Sequence, residues 1–390
     1  MKTTLLSLSL LLALGACQVP QQVPGLLQST VANKPTGVTT LKVGKVPHGI
    51  AAAAGFVYNS NTGDGTISVI DSKTDKVVKT LSLGNDKPGY IKASHGGQHL
   101  LVLSSSGKLH VYDPAQAHKL LQSVELGTGP DKLLLSNDDR KVWVSLTAEA
   151  NIAEVNFEQG FEQPATVKKM PVGKASADGK GHRALALSQS WLATPNPGEN
   201  DLSLVSRSGG ESQRVSAGNE PAVLGFGSWN GADRSLIIGN KASHTITLYH
   251  LDTQIGVTLK DVGNTPTDIA LVPELERAFV TMSGSNEVAV IDYRQQKLLA
   301  RIPVGQRPVH IYRVPAKLQI QHVGHDHGEL WVGNDAGSSV SLIDPDSLKV
   351  KTTIPVGKGH HKMAFWSHKA YISNITDGSV SIIDRSRLGN

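Results

Sequence analysis

The chain has 390 residues, 38 Lys and Arg against 33 Asp and Glu, and only 18% charged residues. Its formal charge of +5 is scattered through turns, with no basic run interleaved with aromatics, which argues against nucleic acid as a partner. A single cysteine excludes an internal disulfide, so stability has to come from packing, for which this length is ample.

Residues 1–16 read as an export signal. Lys2 gives the positive start, Leu5 to Leu14 the apolar stretch, and Leu14-Gly15-Ala16 leads into Cys17. The stretch is too short for a good transmembrane helix. It resembles a bacterial lipoprotein signal, which implies cleavage before Cys17, acylation of its thiol, and an exported, membrane-anchored protein. Residues 17–38 are rich in Pro and Gln without periodicity and read as a flexible tether. Gln18 follows the cysteine, and by resemblance to lipoprotein sorting rules this favours the outer membrane where there are two.

From residue 39 to 390 the chain repeats. A small-apolar–Gly pair closes each unit at Gly44, Gly84, Gly127, Gly173, Gly218, Gly263, Gly305 and Gly357, at spacings of 40 to 52 residues. After most of these glycines comes a loop with Pro and an inner strand, as in VPHGIA, KPGYIKA and RPVHIYRV. The second strand follows (FVYNSN, LWVGND, AYISNI), then a third (TISVID, EVAVID, SVSIID), whose alternation puts Ile67 and Val69 on one face. Four strand signals at a period of roughly 40–45 residues mark a propeller blade. The last unit lacks its fourth strand, and the fragment 39–44 is a fourth strand without the other three. The expectation is an all-β, eight-bladed β-propeller of four-stranded antiparallel blades, closed by the N-terminal strand. Seven blades is the alternative, if 174–218 is an insertion.

The elements FVYNSN, LWVGND and AYISNI, each followed by an SVID-like strand, resemble YVTN-type β-propeller repeats over about residues 39–385. The eight-blade count is also similar to the haem-binding propeller domain of cytochrome-type nitrite reductases. With histidines added, it is similar to periplasmic zinc metallochaperones of propeller fold. These resemblances imply the fold; many roles sit on propellers.

Recurring polar residues read as structural. Asn59, Asn240, Asn334 and Asn374 are expected to bond their turn backbone, and Asp71, Asp113, Asp252, Asp292, Asp344 and Asp384 to cap the turn after the third strand. The histidines do not recur in every blade. His48, His310, His360 and His361 lie where the chain enters an inner strand, near the mouth of a central channel, with His182 a further channel residue. Of the adjacent pair, at most one can face the channel. Imidazole suits zinc, copper or, less readily, haem iron. A second, weaker metal cluster is His322, His325, Asp326 and His327, in the insertion that lengthens one unit. The chain has no GxSxG elbow, HExxH, phosphate-binding glycine loop or CxxCH. The sequence therefore reads as a binding protein of the cell envelope rather than an enzyme. A ligand-free protein-interaction propeller and a haem-handling protein are the rivals, and an envelope protein is the implied partner. No small-molecule substrate is indicated.

Overall fold

In a computed structural model the described residues are 37–174, 184–208, 212–315 and 327–388, all in one compact unit, Thr36–Asn390. Cys17, the signal and all of the tether but Gly37 and Val38, His182, His322, His325 and Asp326 lie outside them.

The described strands form eight four-stranded antiparallel sheets. In seven of them the strands run in chain order from the inner to the outer edge. Blade 1, for instance, contains Pro47–Ala53, Phe56–Asn61, Thr66–Asp71 and Lys76–Ser82. The eighth has His360–Trp366, Lys369–Asn374 and Ser379–Asp384, and its outer strand is Val38–Lys42, paired Val38↔Ile383 through Lys42↔Ser379. The N-terminal strand thus closes the ring, as its sequence suggested. The seven-blade alternative fails. The unit after Gly173 is a blade in its own right, with strands Ala186–Leu187, Trp191–Asn196, Asp201–Ser206 and Gln213–Ser216 hydrogen-bonded in order.

Strand alternation explains the packing. Each sheet buries both faces, one against each neighbour, so Ile67 and Val69 face blade 2 while Ile70 faces blade 8. Eight apolar clusters result, one at every blade–blade interface, including the closing one, where Ile50, Val57 and Ile70 meet Ala364, Tyr371, Val380 and Ile382. The interface between blades 3 and 4 is the thinnest, with Trp143, Ile152, Leu192 and Val205 fully buried.

The asparagines do a different job from the one expected. Asn334 ends its second strand wholly buried, and its amide donates to Ser339 Oγ (3.1 Å) and Ser341 Oγ (2.9 Å) on the third. Asn374 and Asn240 repeat this, and in blade 1 the matching residue is Asn61, not Asn59. The chain passes from one blade to the next directly over this amide. A Cβ at Gly305 would stand 2.6 Å from the Asn334 side chain, which is why glycine recurs at the joint. The aspartates behave as expected: Asp71 accepts from the Lys73 and Thr74 N–H groups, and Asp344 from Asp346 and Ser347. Asp252 instead pairs with Arg234.

Candidate functional site at the channel mouth

Six of the eight inner strands start at a proline: 47, 88, 130, 221, 266 and 308. His360 occupies the same place in blade 8, since His360↔Asn374 matches Pro308↔Asn334 and Pro47↔Asn61 in register. Counting from that residue sorts the channel into layers. The next position holds His48, Asp131, Thr267 and His361; the one after holds Tyr90, Lys132, Asp268, His310 and Lys362. Each strand is bulged at this point, which lets these residues stand around the axis before regular pairing begins.

Three of the expected histidines come together. The His361 ring centroid is 4.2 Å from that of His48 and 5.1 Å from that of His310. They belong to blades 8, 1 and 7, consecutive around the closure. His360 does not join them. Its ring is 1% exposed, packs over Gly333 of blade 7, and has no hydrogen-bond partner for either nitrogen. Extended chain points neighbouring side chains to opposite sides, so one of the pair faces the axis and the other the blade interface. His327 lies at the far end of blade 7's inner strand and is bound to Asp346 (2.6 Å).

The electrostatics follow from enclosure. Burial, then the nearby His48 and His310, holds the His361 imidazole far below its ordinary pKa, so it is neutral. Burial and Lys362 bring His360 down to about 3. Lys362 is held well below the usual lysine range by burial and by Lys132, and burial pushes the Asp268 carboxyl up against the pull of both lysines. His310 Nδ1 lies 3.1 Å from Asp268 Oδ2 and 3.2 Å from Lys362 Nζ. One nitrogen cannot serve both: it donates to the carboxylate in one tautomer and accepts from the amine in the other. Asp268 is itself oriented by the N–H groups of Ile269 (3.0 Å) and Ile311 (3.3 Å).

These residues line a chamber of about 400 Å³ with apolar walls from Leu133, Leu134, Leu224 and Ile269. A second cavity, of about 500 Å³, is lined by later residues of the inner strands and shares Tyr90, Lys132, Asp268 and Lys362 with the first. Those four form the waist between the two. A reading by histidines alone passes over them; aligning the inner strands on their prolines and reading the third column finds them. Among the described residues, no three His, Cys, Asp or Glu side chains already stand in position to hold one metal ion. Two imidazoles sharing a tetrahedral zinc, with Zn–N of about 2.0–2.1 Å, hold their centroids roughly 5 Å apart. The observed spacings are close to this, so an ion would require rotation of side chains rather than movement of strands.

Among the solved structures to which the chain is similar are three propellers. One is dihydro-heme d1 dehydrogenase NirN in complex with DHE (16% identity, TM-score 0.62, covering 90% of this chain and 76% of that one). The second is Sqt1 of Saccharomyces cerevisiae (10% identity, TM-score 0.70, 90% and 99%). The third is virginiamycin B lyase from Staphylococcus aureus (11% identity, TM-score 0.56, 89% and 98%). What they share with this chain is the fold. No family model and no curated protein matches the sequence.

Proposed function

We propose that the protein is a lipid-anchored binding protein of the cell envelope that holds a transition metal, zinc or copper, through His48, His310 and His361 at the channel mouth. The observation that carries this reading is the convergence of three imidazoles from consecutive blades, with His361 kept neutral and therefore able to coordinate. His310 also has the supporting group that metal-bound histidines use: Nδ1–H donation to Asp268 leaves the lone pair on Nε2. An envelope protein that delivers or collects the metal belongs to this reading.

Titration calorimetry with zinc and with copper tests it. His310→Ala combined with His361→Ala should weaken binding at least about 100-fold, whereas His327→Ala should leave it within threefold. Equal affinities for wild type and the channel double mutant would remove the site. A second reading, a haem-type ligand with a channel histidine on its iron, draws on the likeness to NirN, which by its description acts on dihydro-heme d1. A visible absorption band in protein purified from its native envelope would favour it; stoichiometric colourless metal would not. The anchor is tested by Cys17→Ser, which should move the protein from membrane to soluble fractions; wild-type protein that is soluble and unacylated would end that part of the reading.

A further inference from the structure

The chamber is much larger than an ion needs. A bound water occupies about 30 Å³, and pockets for small organic ligands run about 300–1,000 Å³; this one is about 400 Å³. Its charge is also wrong for attracting a bare dication. Among the described residues, the charged side chains lining it are Asp131, Lys132, Glu220, Lys241, Asp268 and Lys362, three of each sign. The histidines add no negative charge. Glu220 and Lys241 bond one another (3.4 Å), and Asp268 is engaged by His310 Nδ1 and two backbone N–H groups. Lys362 Nζ, 3.2 Å from a proposed metal ligand, offers an N–H donor to any oxygen anion, while burial and the neighbouring Lys132 hold it well below the usual lysine range. Lys132 lies at the same waist, 5.5 Å from the Tyr90 ring centroid. Leu133, Leu134, Leu224 and Ile269 add apolar surface to the chamber's lining.

We infer that the cargo is a divalent metal already complexed by a small carboxylate-bearing chelator, not the bare ion. The inference rests on the metal reading above. The metal meets the imidazoles, a carboxylate of the chelator meets the amines of Lys132 and Lys362, and the chelator's carbon skeleton lies along the leucine-lined wall. A complex whose carboxylates have cancelled the metal's charge enters a chamber whose charged side chains balance and which offers a bare dication no net negative charge. The two amines then also select against chelators that lack an anionic group.

The test titrates whole protein with zinc sulfate alone, zinc with one equivalent of citrate, zinc with one equivalent of nitrilotriacetate, and each chelator alone. Retention of radiolabelled chelator is counted after gel filtration. A protein that binds only the free ion loses apparent affinity when chelator is added, by the factor that chelation lowers free zinc. Here at least one chelator should raise the apparent affinity for zinc tenfold or more and be retained one-to-one with it. Lys132→Met, checked for an unchanged melting temperature, should cut chelator retention at least tenfold while leaving binding of zinc alone within threefold; Lys362→Met, whose amine touches His310, should cut chelator retention at least tenfold as well. Zinc bound with both chelators excluded overturns this inference and leaves the metal reading standing. Chelator retained equally with and without zinc overturns this inference alone, and no zinc bound under any condition overturns both. If either lysine variant fails to fold, the other decides, and retention unchanged in the folded variant counts against the assignment.

Discussion

His360 is the residue whose chemistry fits its surroundings least. An imidazole enclosed without hydrogen bonds contributes packing but forfeits the solvation it had in water, at a cost of about 1–3 kcal/mol. Six other blades use proline there, and the residue before it has a left-handed φ in five: Val46 (53°), Gly129 (72°), Glu220 (53°), Thr265 (59°) and Arg307 (52°), as Gly359 (68°) has before His360. Blade 8 therefore already has the backbone that proline accompanies elsewhere, and Pro266 over Gly239 shows that proline can sit on the same glycine platform that His360 covers at Gly333. His360→Pro should keep the melting temperature at pH 7 within about 3 °C and leave ligand binding at His361 intact. It should also change the acid limb of stability. The folded pKa of His360, about 3, lies below its unfolded value of 6.5, so between these limits the unfolded chain binds the extra proton and stability falls as pH drops. Removing this group should make that fall shallower by up to about 1.4 kcal/mol per pH unit. Urea melts from pH 7 to 4 give the comparison; identical slopes for the two proteins would mean the ring is already protonated or solvated in the fold.

At the scale of elements, the strand Val38–Lys42 completes a blade and leaves no free edge on Ser379–Asp384. Leu41 and Val43 pack on the blade 8–blade 1 cluster, and Lys42 Nζ donates to the Asp377 carbonyl (2.9 Å). Deleting residues 37–44 should cost about 3 kcal/mol or more from lost apolar burial and should promote aggregation through the bared edge. Deleting 18–34 should leave the melting temperature unchanged; equal losses from the two deletions would contradict the closure. This closure is legible in the repeat pattern itself, because a strand missing at one end is matched by a surplus strand at the other. Blade 4 is harder to read, since Ala186–Leu187 is its short inner strand and its loop, like that of blade 8, has Gly where the other six have Pro. FVYNSN has two asparagines, and only the one whose amide reaches Thr66 and Ser68 is structural, a distinction of register rather than composition. The waist is illegible to a reading by residue type, because Tyr90, Lys132, Asp268 and Lys362 share a layer but no chemistry.

For the whole molecule, the proposed ligand set straddles the seam of the ring. His310 and His361 come from the last two blades and His48 from the first, so one ligand would join chain segments more than 300 residues apart, beside the place where the N-terminal strand closes the sheet. A ligand that binds only the folded ring stabilises it by mass action, about 2.7 kcal/mol at 100 times its Kd. That increment adds to the stability of any variant whose site is intact, a weakened closure included. Zinc, alone or with its chelator, should therefore raise the melting temperature of wild type by several degrees. It should recover part of the loss in a milder closure variant, Leu41→Ala, and do neither in the His310→Ala/His361→Ala double mutant. Mass action stabilises the folded ring by the same amount wherever the ion sits, so it is the loss of the shift in the double mutant that assigns the ion to the channel. Scanning calorimetry of the three proteins with and without zinc measures this directly. A zinc-dependent shift that persists in the double mutant would place the stabilising ion elsewhere in the fold.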